Sequence, residues 1–533
     1  MNSGAGLSDG GAGSPVGAAG AEGEGVAMLR GPVLAVICAV FVSLLSIDGG
    51  FVGDDRSALL ESPVVQGAVP VGEAFVRDVW GNPASDGVNT YRPLSPMLWR
   101  AEWVFGGGSP LLFRVMSLLF HAGAVLLAWL CLRALGAGER VSATAAVFFA
   151  IHAVGTEAEA AIVGQSDVLS AALGLAALLV VLRARSAAGA VGATALLLLA
   201  VAVKESAVLF AVVIPVLAAA RKPAGWRGAV VGSAVVLAAA VAIQASLERA
   251  SITTTWNNSL GYDAHGAQRL LLGAYLVGRA ALLCLVPTGL SPSHGFAAID
   301  FSAETLGPLA AVGVVALLVA AAFGVRALLR RDGLMAFALM ALMGPAVLVS
   351  HLVFVIMSDL PERLLYPSAL GVSLLLAVLL DRFAGKLFLF STVAYAAVLL
   401  LTGVPLRRAW TSDNSLWTYA VVSEPKSIRT QMNYSNSALR EGRPDDAAWH
   451  RMVGIYLVNS YPDRVDWPKV EKLRERGLEQ AWRDAPGVLY PENPCPLVVT
   501  FLTDSTRVDP AFGAFGVREL SPRYPACFAP QPR

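Results

Sequence analysis

Long apolar runs separated by short polar breaks dominate the chain from residue 32 to residue 405. After a first run, Pro32 to about Ile47, come runs at roughly 110 to 132, 141 to 153, 166 to 182, 189 to 203, 206 to 220, 228 to 247, 306 to 325, 334 to 357, 364 to 380 and 387 to 405. Several reach the roughly 17 to 25 residues that carry a helix across a bilayer. The pattern predicts an all-α polytopic membrane protein, a bundle of about 11 transmembrane helices. Alternate breaks are short and basic: Arg133 with Arg140, Arg183 with Arg185, Arg221 with Lys222 and Arg227, Arg326 with Arg330 and Arg331, and Arg382 with Lys386. All five fall on one side, and the excess of Lys and Arg in cytoplasmic loops makes that side cytoplasmic. A further run at 269 to 287 has polar loops at both ends, and both must lie outside for the later arginines to lie inside. It is therefore read as re-entrant or interfacial.

The polar stretches divide the chain. Residues 1–28, rich in Gly, Ala and Ser with no apolar period, read as a disordered leader. Residues 29–405 form the membrane domain, its first run taken as an anchor because the later spans need it for parity. Within it, 48–109 is a large first extracytoplasmic loop that closes on Met97 to Phe105, where Trp99 and Trp103 beside Arg100 and Glu102 suggest an interfacial helix. Residues 406–533 form a small soluble C-terminal region with one helix hairpin over 427–458, too little for a repeat array. Cys495 and Cys527 lie in a Pro-rich stretch on the oxidising side, where a disulfide and two free thiols are equally open.

With 56% hydrophobic and 15% charged residues, the chain is excluded from the soluble enzymes, and the absence of a basic block excludes nucleic acid. Neither CxxC nor zinc-ligand spacing occurs among the 5 cysteines. The informative charges sit at the outer ends of the spans. Asp54 and Asp55 follow the first run; His121, His152, Glu157, Glu159 and Asp167 surround the next three; Lys204-Glu205 and Glu362-Arg363 fill two short outer turns. Taken singly, each has a plain reading as a helix-end turn, a local ion pair or a packing histidine. Taken together they suggest an outward-facing polar cavity holding both signs of charge, and charge near a membrane is expensive enough to point to function.

The ordered motifs resemble a known family. Asp54-Asp55, Trp80-Gly81, Tyr91-Arg92-Pro93-Leu94, His121, His152 with Thr156-Glu157-Ala158, Gly164 with Asp167-Val168-Leu169, Lys204-Glu205, Leu290-Ser291 and Glu362-Arg363-Leu364-Leu365-Tyr366 are similar to those of the transmembrane and tetratricopeptide-repeat O-mannosyltransferases. These belong to the polytopic, lipid-phosphate-sugar-dependent glycosyltransferases of the GT-C type. The resemblance runs from about 48 to about 440. It implies a GT-C-like bundle, inverting transfer of mannose or a similar hexose from a polyprenyl or dolichyl phosphate to a protein Ser/Thr hydroxyl, and a catalytic acid in the first outer loop. It makes the hairpin at 427–458 a degenerate tetratricopeptide-like unit. There are departures: Gln165 stands where the pattern favours arginine, Ala153 and Gly155 replace a proline and a histidine beside His152, and the tail lacks the repeat array, so acceptor choice does not carry over.

A lipid-phosphate leaving group and a hydroxyl nucleophile require a base and positive charge at the phosphate. Asp54 is the expected base with Asp55 second, and the adjacent carboxylates could instead hold a divalent cation. Arg92, Lys204 and Arg363 are the expected phosphate contacts, with Glu205 and Glu362 orienting their cationic neighbours and Tyr91, His152, Glu157 and Asp167 in support. The expected partners are a lipid-linked sugar donor, a protein acceptor and membrane lipid. Richness in Ala, Gly and Arg points to a bacterial inner membrane with the site and C-terminus facing the periplasm, or to the endoplasmic reticulum membrane and lumen in a eukaryote. The alternatives are a transporter or flippase of a lipid-linked sugar, which would favour internal repeats and midplane charge, and an inactive membrane scaffold.

Overall fold

The computed structural model describes residues 18–83, 90–246, 265–294 and 303–454, apart from Phe354, Met357, Pro444, Asp445, Ala448 and Met452, with four isolated positions beyond. Cys495, Cys527 and the end of the expected hairpin lie outside the described residues.

The apolar runs become helices in sequence order: α1 Ala18–Leu44, α2 Leu94–Phe105, α3 Pro110–Ala134, α4 Glu139–Ile151, α5 Thr156–Ala160, α6 Gln165–Arg183, α7 Ala188–Val203, α8 Val208–Arg221, α9 Trp226–Ser246, α10 Gly266–Leu285, α11 Ala303–Leu329, α12 Gly333–Leu348, α13 Tyr366–Phe383 and α14 Phe388–Ala409. Two polar helices, α15 Asp413–Ser423 and α16 Ile428–Arg440, open the tail. Local chemistry sets the starts: Ser109 caps α3 ahead of Pro110, Asp332 caps α12, and Ser412 and Ser415 form a reciprocal box at α15. Helix α1 begins well before the apolar run, so helix reaches into the segment expected to be a disordered leader, whose alanines favour it.

Among the described residues, seven helices are long and apolar enough to cross a membrane, and α4 with the 153–160 segment, bent by 47°, makes an eighth. Three shorter apolar helices, Arg30–Leu44, α7 and α12, stand beside them. This is an integral membrane bundle, and its helix ends alternate between two poles. At one pole Arg133 donates to the Ala137 carbonyl (2.6 Å), Arg221 to the Leu135 carbonyl (2.9 Å), and Arg140 pairs with Asp381 (3.4 Å). The other pole gathers the first loop, the α4–α5 break, the α7–α8 turn and the segment before α13.

The run expected to be re-entrant is one unbroken helix, α10. Arg269 near its start donates to the His351 carbonyl (3.0 and 2.8 Å), just past α12, and the Cys284 carbonyl near its end bonds His152 (2.9 Å) at the α4–α5 break. Both ends are thus tied at the same pole, and α10 lies across the bundle there. It crosses α11 so closely that a Cβ on Gly278 would strike the Leu309 carbonyl and one on Gly313 the Ala274 carbonyl. The expected interfacial helix is α2, yet Trp99 is buried in the core, and Ala101, Val104 and Phe105 are its exposed residues. Trp99 belongs to a second core, with Val52, Phe113, Ile162 and Trp417, that welds first loop, bundle and tail together.

Candidate active site

The site is built on the turn that follows α1. Arg114, buried on α3, donates to the carbonyls of Ser46, Gly49 and Gly50 in that turn, and to those of Ala160 and Trp410. One guanidinium therefore joins first loop, α5 and the end of α14. Gly53 adopts a left-handed φ of 60°, and its N–H donates to Asp413 Oδ1 of α15 (2.8 Å). That turn aims the next two residues in different directions.

Asp55 points inward. Its oxygens accept from the Val163 amide (2.9 Å) and the Val52 amide (3.1 Å), and burial pushes its pKa up to about 6 against those two bonds. Asp54 faces the cleft. Arg429 Nη2 lies 3.0 Å from Oδ1 and Arg363 Nη1 lies 3.6 Å from Oδ2. Burial would raise its pKa, but Arg429, then Arg363, outweigh it and hold the carboxyl below the usual carboxylate range. The two aspartates share nothing, since one is spent on amides and the other on guanidinium groups. They do not fit a divalent cation, and among the described residues no group of three or more His, Cys, Asp and Glu is placed to hold a metal.

Around Asp54 the charges alternate. Arg363 Nη1 lies 3.7 Å from Glu157 Oε1, and its own amide donates to Glu157 Oε2 (3.1 Å). The expected neighbour pairs are broken up. Lys204 reaches Asp167 (2.5 Å) rather than Glu205, while Glu205 takes Arg92 in a fork (2.7 and 2.5 Å). Burial lowers the Lys204 pKa to about 8, and Asp167 opposes that fall. Glu362 does not orient Arg363. It accepts from the Ser291 amide (2.9 Å) and from His294 Nε2 (2.7 Å), whose other nitrogen faces Glu424 of the tail (3.3 Å). Burial would lower the His294 pKa, but the two glutamates outweigh it and raise it to about 9.

The remaining expected residues stand back. Tyr91 is half-buried in the segment leading to α2. His152 bonds the Cys284 carbonyl through Nε2 and accepts from the Val154 amide through Nδ1 (3.3 Å), which makes it a cap for the bend between α4 and α5. His121 lies deeper, between Tyr366 (2.8 Å) and Glu159 (3.1 Å), and Glu159 also pairs with buried Arg407. Gln165 is fully buried and donates to the Phe113 carbonyl (2.6 Å), so its departure from the family pattern falls behind the site.

Asp54, Glu157, Arg363 and Arg429 supply the charge of a cleft of ≈ 510 Å³, open mouth included, with Trp410 and Trp417 on its wall. Arg429, His294 and Glu424 went unseen in the sequence because they sit in polar stretches, where a charge carries no signal; Arg114 went unseen at the head of an apolar run.

Residues 104–350 match the family model of Glycosyltransferase family 87. The chain is 34% identical over 138 residues to the protein O-mannosyl-transferase Tmtc1 of Drosophila melanogaster, covering 26% of this chain and 16% of that one. To a protein O-mannosyl-transferase of Caenorhabditis elegans it is 24% identical over 447 residues, 81% of this chain and 63% of that one. Each match thus spans less than two thirds of the relative's own length. Among solved structures, the archaeal oligosaccharyltransferase AglB from Archaeoglobus fulgidus, in complex with an inhibitory peptide and a dolichol-phosphate, is similar with a TM-score of 0.41 and 15% identity, over 83% of this chain and 60% of that one.

Proposed function

We propose that this chain is a membrane glycosyltransferase that moves a sugar, mannose or a similar hexose, from a polyprenyl or dolichyl phosphate to a protein hydroxyl on the extracytoplasmic face, with inversion. The observation that carries the reading is Asp54, a carboxylate set in a cleft between two arginines at one pole of a membrane bundle. The similarity to O-mannosyl-transferases and to Glycosyltransferase family 87 supports the same class of reaction.

In this reading the acceptor oxygen attacks the anomeric carbon from the side opposite the phosphate. A new carbon–oxygen bond forms, the bond to the phosphate oxygen breaks, and the lipid phosphate leaves with the electron pair. Asp54 takes the hydroxyl proton. Arg363, aimed by Glu157, lies where charge grows on the departing phosphate, and a preset cation there stabilises the transition state without reorganising. Lys204 and Arg92, already matched by Asp167 and Glu205, act by fixing the wall from which Arg363 works. Trp410 and Trp417 offer flat apolar faces to the sugar or the acceptor.

The test is transfer of radiolabelled sugar from a set of polyprenyl-phosphate sugars to membrane protein, wild type against Asp54→Asn. Loss of the base should cut transfer by about a hundredfold or more. Equal labelling in the variant would remove Asp54 from the chemistry.

A further inference from the structure

Asp54 as found is a poor base: each of its oxygens faces an arginine, at 3.0 Å for Arg429 and 3.6 Å for Arg363. The arginines, in turn, are the cations that line the cleft and stay partly exposed. Lys204 and Arg92 are closed off by their own carboxylates, whereas Arg429 has 30% of its side chain exposed and Arg363 has 24%, and both line the cleft. The larger part of Asp54's pairing comes from outside the membrane bundle. Arg429 is the second residue of α16, whose start is capped by Ser427 (3.3 Å to the Thr430 amide). The segment just before it is pinned to the bundle by Glu424, His294 and Glu362. The tail is thus anchored next to the cleft so that one guanidinium reaches in.

We propose that Arg429 is a shared cation: in the resting protein it and Arg363 bracket Asp54, and a lipid-borne phosphate monoester or diester entering the cleft takes both guanidinium groups, freeing the Asp54 carboxylate to receive the acceptor's proton. This rests on the glycosyltransferase reading of the cleft. A phosphate suits the exchange because a planar guanidinium forks two oxygens of a phosphate as well as it does a carboxylate, and a monoester does so with more charge. The exchange gives order to the reaction, because the base becomes available only when the leaving group is in place. Arg429 is then a positioning residue for Asp54 before donor binding and a contact to the phosphate after it.

Binding of polyprenyl phosphate, without sugar, to the purified full chain in nanodiscs tests this apart from transfer. If Asp54 competes with the phosphate for two arginines, Asp54→Asn tightens binding, by about threefold or more, while Arg429→Gln weakens it by about tenfold or more. Arg429→Lys, which keeps charge and loses the fork, should fall between them. Unaltered thermal unfolding of Arg429→Gln rules out loss of the tail as the cause. Asp54→Asn that binds no tighter than wild type, or a folded Arg429→Gln that binds as well, overturns the exchange even when wild type transfers sugar. Wild type that neither binds polyprenyl phosphate nor transfers sugar overturns the glycosyltransferase reading and the exchange with it. The same pattern with inorganic phosphate alone overturns the assignment to a lipid.

Discussion

A guanidinium with all of its reach spent on carbonyls is a scaffold, and Arg114 is that residue here. Its five bonds, from 2.5 to 3.2 Å, go to Ser46, Gly49, Gly50, Ala160 and Trp410, and no side chain of opposite charge is needed to hold them. Removing it strands buried carbonyls from three elements at once. Arg114→Ala should destabilise the protein by about 3 kcal/mol or more, read as a lowered unfolding midpoint in detergent, and Arg114→Lys should recover only part because one ammonium cannot span the five acceptors. Glu102 poses the opposite problem. Among the described residues no hydrogen-bond partner meets its buried oxygens or Oε1 of Gln165, and burial pushes the carboxyl up to about 8. A proton on Glu102 resolves both. Because its folded pKa lies above its usual 4.5, the stability it lends is full below that value and is lost as pH rises through about 8. Glu102→Gln should make unfolding midpoints less pH-dependent between 5 and 8 (about the span of the shift); an unchanged slope would show Glu102 ionised. These residues mark what was legible. Asp54, Glu157, Asp167, Lys204 and Arg363 stood out because charge at the rim of an apolar run is costly. Their partners did not, because pairing is set by how helices rotate against one another, and neighbours in sequence such as Lys204 and Glu205 turn to opposite partners.

At the scale of elements, one of the couplings between tail and bundle runs through a histidine. His294, in the segment after α10, lies between Glu362 at the head of α13 and Glu424 at the end of α15. These are the charged groups that meet it, both acidic, so the protonated ring is the form the contact favours. Its pKa, raised to about 9 from 6.5, means the latch contributes fully below about 6.5 and is lost as pH climbs through 9. A shift of that size corresponds to roughly 3 kcal/mol between tail docked and tail free. Hydrogen exchange across α15 and α16 should therefore rise between pH 7 and about 10 in wild type and be high at both pH values in His294→Gln. Exchange that ignores the histidine would leave the second core, where Leu416 and Trp417 pack, as the whole attachment. Helix existence was readable from hydropathy. The role of α15 and α16 was not, because a short polar stretch looks like many others until Gly53, Asp54 and His294 are seen to touch it.

For the whole molecule, the asymmetry of its two poles predicts which side of the membrane the cleft faces. Arginines of the short loops crowd one pole, at Arg133, Arg140, Arg185, Arg221 and Arg331, whereas Arg92, Arg363 and Arg429 stand at the other, each facing a carboxylate. The positive-inside rule predicts that the first pole is cytoplasmic and that the cleft faces the other side. Surface labelling tests the assignment directly. Ala68 in the first loop and Ser186 between α6 and α7 are both exposed, at opposite poles, and Cys38, Cys131 and Cys284 are half-buried or buried. With Cys495 and Cys527 changed to serine, Ala68→Cys in intact cells should react with a membrane-impermeant maleimide and Ser186→Cys should react only after permeabilisation. A site at Ala137, in the neighbouring turn, would mislead, because that residue is 5% exposed and would stay unlabelled on either side. The reverse pattern would turn the Asp54 cleft to the cytoplasm, where a soluble nucleotide-sugar would be the natural donor, and the case for a lipid-linked one would fall with the topology.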